Sequence, residues 1–359
     1  MTEVLYIGSA DEHVYSFDCA DGRLVWRFGG EGGFGSTQAY YRNTASWPYD
    51  DTIYIGGWCG NVYAIDAHSG KQRWKYKTNG DIESSPCIAN DTVYIGSTDN
   101  LVYAFTLDGE LKWCAVSGYK IESTPVYDNG AIIIGSEDGR VYAIDEDGDE
   151  RWRVETNDEV RSSGACADGY VYIGSSNKTL YKIDTKTGEI IWTSGLHAPT
   201  DSTPTINGNR LYIGTIKRNH DDKGEGNVDT RRRCVPSPGA VQAFDTETGE
   251  QIWKFLTGES VWCQPAVNNG LVYVSCHDSY IYAIDEQTGK CRWKYRCDSY
   301  SNSSPAIGSD GTVYVGADDK KVHALDGSTG EKKWEFLGTD RFGSSPTIVS
   351  FVDFRGDPG

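Results

Sequence analysis

The 359-residue chain carries 52 acidic against 34 basic residues, a formal charge of −18, together with 42 glycines, 12% aromatic residues and a single methionine. That charge repels phosphate backbones and anionic lipid surfaces, so neither nucleic acid nor membrane insertion is expected. Glycine and aromatics in this proportion suit many short strands joined by tight turns, and no stretch reads as an amphipathic helix.

Taken in chain order, Met1-Thr2-Glu3-Val4-Leu5 runs straight into strand sequence, with no basic segment, apolar stretch or lipidation cysteine near the start. As written the chain reads as cytoplasmic, or as secreted or periplasmic if a signal peptide has been trimmed. The first segment, Val4 to Gly8, lacks the Ser-x-Pro strand that precedes its counterparts downstream. An insertion from Gly29 to Thr44 follows, containing Phe34, Tyr40, Tyr41 and Arg42, and leads to Ser46-Trp47-Pro48.

The repeat is cleanest in Ser84-Ser85-Pro86, Thr92 to Gly96, Leu101 to Phe105 and Leu111 to Trp113, which reads as a four-stranded meander. Asn90-Asp91, Asp99-Asn100 and Asp108-Gly109 separate its strands with pairs that tolerate positive φ in two-residue hairpins. Strands of about five or six residues are expected from that spacing. Tryptophans recur at Trp26, Trp74, Trp113, Trp152, Trp192, Trp253, Trp293 and Trp334, at intervals of 48, 39, 39, 40, 61, 40 and 41. A period near 40 is that of a propeller blade. Consecutive apolar residues such as Val141-Tyr142-Ala143-Ile144 imply burial on both sheet faces, which stacked blades provide. A second insertion, Lys217 to Gly239, mixes Asp221, Asp222, Glu225 and Asp229 with Arg231-Arg232-Arg233. At the far end Ser344-Ser345-Pro346-Thr347-Ile348-Val349 follows the last repeat tryptophan with no further strands, and is expected to complete the first blade. The fold read from the sequence is therefore all-β: a single eight-bladed β-propeller domain of four-stranded antiparallel blades, spanning 1–359 and closed by its C-terminal strand.

The segment Ala64-Ile65-Asp66-Ala67-His68-Ser69-Gly70-Lys71-Gln72-Arg73-Trp74 resembles the AxDxxTGxxxW tryptophan-docking motif of pyrroloquinoline-quinone (PQQ) type propellers. Good copies recur at 143–152, 243–253, 283–293 and 324–334, whereas Ser16, Thr106 and Lys182 depart from it. The resemblance implies that the eight tryptophans are structural, each packing between blades against a small residue and the turn glycine. The family includes PQQ-dependent dehydrogenases and non-catalytic BamB-like scaffolds, and the fold does not choose between them.

Both insertions are expected on the top face, where the loops entering the innermost strands lie. The residues immediately before each Ser-x-Pro serine or its equivalent, Ala45, Glu83, Glu122, Arg161, Asp201, Trp262, Asn302 and Gly343, should ring the mouth of the central channel. Glu83, Glu122, Arg161, Asp201 and Asn302, with Trp47, Trp58 and Trp262 near the same rim, are the ligand-binding candidates; a hydrated entrance whose charges solvate one another is the competing reading. Among ten cysteines none is vicinal or in a CxxC pair, which leaves zinc-ribbon and thioredoxin-like readings without support. In the seventh repeat Cys263 and Cys276 each replace a serine; with Asn269-Gly270 as the turn they fall opposite one another. A disulfide, a metal site with His277, and two free thiols are the alternatives.

No HExxH, GxSxG or phosphate-binding loop is present, and no catalytic residue is assigned. The reading is a non-catalytic scaffold, expected to be monomeric, that binds a protein partner or a small polar ligand on its top face. The alternatives are a PQQ-dependent oxidoreductase, with PQQ and calcium or a lanthanide as cofactors, and a carbohydrate- or polyol-binding module. By resemblance, a PQQ dehydrogenase should show a vicinal cysteine pair, which this chain lacks.

Overall fold

The structure, a computed structural model, describes residues 2–41, 51–217 and 238–351. Among these residues, thirty-two strands, β1 to β32 in chain order, form eight separate four-stranded antiparallel sheets. Seven sheets are consecutive meanders. The eighth joins β1 (Thr2–Gly8), β2 (His13–Asp18) and β3 (Leu24–Gly29) to β32 (Thr347–Phe351), with Tyr6 opposite Thr347 and Thr2 opposite Phe351. The innermost strands touch in sequence around one axis, and β32 meets both its neighbours, so the ring is closed. The expected architecture and its closure are both present.

The innermost strands are shorter than the spacing predicts. Cys87–Ala89 and Val126–Asp128 have three residues and Ala306–Ile307 only two. Just upstream of most of them stands a proline, as at Pro86, Pro204, Pro265 and Pro305, which offers no N–H to a ladder. The turns behave as read: Asn90 and Asp91 have φ of 46° and 54°, and Asn269 and Gly270 have 49° and 76°.

Each blade is bonded to the next through its tryptophan. The indole Nε1 of Trp26 donates to the carbonyl of Ala67 at 3.0 Å, Trp74 to Leu107 at 2.8 Å, and Trp113 to Glu146 at 2.7 Å. The series continues from Trp152 to Thr185, Trp192 to Thr246, Trp253 to Glu286 and Trp293 to Gly327. Trp334 then donates to Cys19 in the first blade at 3.1 Å and closes the circuit. A bulge precedes every one of these indoles: Ala104 pairs with Trp113 while Phe105 pairs with Leu111, and the same skip recurs in all eight sheets. That extra residue re-aims the ring toward the neighbouring blade. The turn glycine of the next blade lies directly beneath it; a Cβ on Gly109 would sit 2.6 Å from Trp74, and one on Gly289 2.8 Å from Trp253. Lys182, one of the motif's departures, sends its amine to the Thr246 carbonyl at 2.9 Å and lies over the Tyr170 ring at 4.2 Å, so it reinforces the acceptor that Trp192 uses.

The placing of the first insertion is corrected. The linker between β3 and the first strand of the second blade, β4 (Ala39–Tyr41), is residues 30–38, as long as residues 78–86 in the next blade, so no insertion stands there. The extra residues of this repeat instead follow β4 and precede β5 (Thr52–Gly56) in the chain. Ala45 and Trp47 belong to that connection and lie outside the described residues. Of the three alternatives for Cys263 and Cys276, the structure has the two free thiols. The register that would oppose them does exist, with Asn268 facing Leu271 and Ala266 facing Tyr273, but the ladder stops at Ala266 after Pro265. Cys263 Sγ turns instead to the backbone of Ser275, accepting from its N–H at 3.3 Å, and Cys276 Sγ donates to the Glu259 carbonyl at 3.3 Å.

Replacing Gly289 by alanine combines a φ of 67° with the Trp253 clash, whereas Gly270, at 76°, has nothing within 4 Å of its would-be Cβ. Gly270→Ala is expected to cost about 1 kcal/mol and Gly289→Ala about 2 kcal/mol more, compared by urea unfolding. Equal losses would deny the indole contact its energetic role. Deleting residues 344–359 bares the edge of β1, and size-exclusion chromatography should show oligomers where the full chain runs as one species.

Candidate binding site at the mouth of the channel

The mouth is built by one repeated hydrogen bond. In every blade a small residue ahead of the innermost strand accepts from a backbone N–H at the end of the second strand: Gly96 to Ser84 at 3.1 Å, Gly135 to Ser123 at 2.9 Å, Gly214 to Ser202 at 3.1 Å and Gly316 to Ser303 at 3.1 Å. Gly8 to Ser344 and Gly56 to Ser36 complete the set with Gly174 to Ser162 and the Cys263 thiol. Because each of these groups is pinned, the residue just before it is held at the rim. The second blade's anchor is Ser36, which makes Gly35 its rim residue in place of Ala45.

Of the expected candidates, Trp58, Glu83, Trp262 and Asn302 come together with Gly35, Asp318, Arg341, Gly343 and Ser345 around a cavity of about 340 Å³. Trp58 lies flat on Gly33 and Gly35, where a Cβ would come within 2.7 and 2.4 Å of its ring. The Arg341 guanidinium stands 5.4 Å from the Trp58 ring centroid and pairs with Asp318 at 3.4 Å. Asp318 in turn engages Tyr300, whose phenol is pushed up by that hydrogen bond and charge. The Tyr300 ring is 4.7 Å from His277, His277 stacks on Trp262 at 5.7 Å, and its Nε2 bonds the Asn302 side chain. An aromatic and amide half-rim thus runs from Trp58 to Trp262, and Trp262 remains 37% exposed.

Glu122 and Arg161 belong to a second, acidic half. The Arg161 Nε lies 3.0 Å from Glu137 and 3.7 Å from Glu122, and its NH2 lies 3.4 Å from Glu159. Burial alone would weaken the guanidinium charge, but Glu122, Glu137, Glu159 and Asp201 hold it protonated. Glu83, between the halves, has its carboxyl pushed up by burial and by Asp81. Glu137 is pushed to about 7, first by burial, then by a hydrogen bond that its protonated carboxyl donates to Glu122 and by the charge of Glu122; Arg161 offsets this only in part.

Reading only the positions before the serines missed Glu137, His277 and Asp318. Each lies two positions past the second-strand glycine or its substitute, at Gly135, Ser275 and Gly316, as Trp58 does past Gly56. That offset, applied to every repeat, would have found them. Arg341 and Tyr300 stand two residues before rim positions Gly343 and Asn302. The second insertion connects strands Arg210–Thr215 and Ala240–Asp245 at the mouth end of its blade; residues 218–237 lie outside the described residues.

A family model described as outer membrane protein assembly factor BamB matches residues 10–138, 137–224 and 237–352. A curated relative of that same description from Burkholderia pseudomallei is 26% identical over 111 residues, which span 31% of this chain and only 23% of the relative. Among solved structures, BamB from Moraxella catarrhalis superimposes with a TM-score of 0.66 at 17% identity, covering 90% of this chain and 88% of the other. The computationally designed Ika8 protein gives 0.69 at 15% identity, covering 92% of each chain. A europium-containing methanol dehydrogenase gives 0.67 at 16% identity over 87% of this chain and 80% of its own. At these identities the structural likenesses establish the fold.

The raised carboxyl of Glu137 makes a signed prediction. The folded protein keeps a proton that the unfolded chain releases near the ordinary glutamate value of 4.5, so stability falls as pH rises from about 4.5 to about 7. Glu137→Gln is expected to flatten the urea midpoint across that window, and an unaltered slope would assign the titration to another group.

Proposed function

We propose, for a chain that belongs to the family described as outer membrane protein assembly factor BamB, a role as a non-catalytic propeller scaffold whose mouth engages a protein partner. The observation that carries this is the pairing at one rim of an exposed indole, Trp262, with a surplus of acid: Glu83, Glu122, Glu137, Glu159, Asp201 and Asp318 against Arg161 and Arg341. Such a surface suits an extended segment bearing lysine or arginine beside an apolar side chain, because aromatic anchors supply affinity and the field supplies orientation and on-rate. The overall charge of −18 steers the same class of ligand. The relatives' description as assembly factors is consistent with a protein as the occupant.

The quinoprotein alternative fits these residues poorly. Three of the carboxylates that would have to hold calcium or a lanthanide close on Arg161 within 3.0 to 3.7 Å, so the place of a cation is already taken by a guanidinium.

Peptide display against the purified full chain is expected to select lysine- or arginine-bearing segments with aromatic or aliphatic neighbours. Binding should weaken with salt and fall about tenfold or more in Trp262→Ala and in Glu83→Gln. Tight uptake of PQQ with calcium or lanthanum, accompanied by dye-linked alcohol oxidation, would replace the scaffold reading with the oxidoreductase. Selective binding of a glycan with no peptide selected would replace it with the sugar-binding module.

A further inference from the structure

Three side chains that do not line the mouth cavity converge between the seventh and eighth blades: Cys297, His323 and Asp319, the residue after the cavity-lining Asp318. Each offers one ligand atom, and these atoms lie within 4.8 Å of one another. Cys297 is 3% exposed, and the side chains of Asp319 and His323 are each 2% exposed.

The repeat shows what ordinarily fills these positions. The place of His323 is held by tyrosine in six other blades and by Gln242 in the sixth; in four of those six the hydroxyl bonds an aspartate four residues earlier, as in Tyr15 to Asp11 at 2.6 Å, Tyr103 to Asp99 at 2.7 Å and Tyr282 to Asp278 at 2.7 Å. The place of Cys297 is held in four blades by a hydroxyl residue that bonds a backbone carbonyl, as in Thr78 to Gly60 at 2.8 Å, Ser117 to Asn100 at 3.1 Å and Thr156 to Gly139 at 2.9 Å, and in the other three by Gly30, Leu196 and Gly338. In the joint between the seventh and eighth blades the two positions become thiol and imidazole beside a retained aspartate, all metal-ligating groups, whereas the other joint that departs at both positions carries Leu196 and Gln242. His323 Nε2 reproduces the tyrosine's bond to Asp319 at 3.0 Å, but its Nδ1 is buried with no hydrogen-bond partner among the described residues. A buried polar atom left unpaired costs free energy that the tyrosine design does not incur. A structural role alone does not account for the unpaired His323 Nδ1.

We propose that Cys297, Asp319 and His323 form an inter-blade site for a divalent transition metal of the zinc class. Thiolate, imidazole and carboxylate are the zinc donor set, and a tetrahedral ion sets its ligand atoms about 3.5 Å apart, so side-chain shifts of about 1 Å gather them. A water or a further side chain takes the fourth position. The ion replaces the thiol proton, which passes to solvent, and the bond formed is sulfur to metal with no change in oxidation state. Because the ligands come from two blades, the ion pins that joint in addition to Trp293.

The test uses the repeat's own residues, so the variants are compatible with the fold. The full chain, stripped with a chelator and titrated with cobalt(II), is expected to develop thiolate-to-cobalt charge-transfer and tetrahedral d–d absorption at one equivalent, displaced by zinc(II). Zinc should also raise the Tm. Cys297→Thr and His323→Tyr should each abolish the cobalt bands and the Tm rise, with the metal-free Tm within a few degrees of the parent. Absence of the bands in the parent chain, or their persistence in both variants, overturns the site.

Discussion

One indole leaves each blade and lands on the next, its N–H on a backbone carbonyl and its ring on a glycine that has no side chain to oppose it. A single such contact is modest, since a hydrogen bond contributes on the order of 1 kcal/mol net and the rest is ring burial. Eight of them around a closed circuit are another matter. The last tryptophan reaches the first blade, and β32 pairs with β1, so no blade can tilt without breaking contacts on both sides.

That rigidity is what makes the mouth a site. The bond from a backbone N–H to a hydroxyl, or in one blade a thiol, ahead of each innermost strand fixes the rim residue of every blade through its neighbour, whatever the rim side chain is. The rim residues differ from blade to blade: Gly343 leaves open space, Gly35 seats the Trp58 ring, and Trp262, Asn302 and Glu83 present side chains to the cavity. Loops held on a rigid frame are where binding residues accumulate.

The two halves of the rim differ in how their charges are settled. Arg341 is shared between the face of Trp58 and a single carboxylate, so the aromatic half stays nearly neutral. Arg161 faces three glutamates, and one guanidinium cannot keep all of them ionised in a half-buried setting; Glu137 gives way and holds its proton up to about pH 7. An incoming cation would settle the same deficit, which ties the local electrostatics to the chemistry of the proposed partner.

The amino-acid sequence by itself determined the blade count, the turn positions, the tryptophan joints and the closing strand, because each is written in short-range terms: a period near 40, residues that tolerate positive φ, and a strand missing at one end but surplus at the other. Tertiary structure decided which stretch of the second repeat is its innermost strand, since Ser36 rather than Ser46 finds the Gly56 backbone. It also parted Cys263 from Cys276, where Pro265 ends the ladder that arithmetic would have continued. The partners at the mouth were out of reach of any local pattern: Arg341 meets Trp58 and Cys297 meets His323 only because a ring brings separate blades side by side, and the distance between two side chains across a joint is a property of the closed circle, not of the repeat.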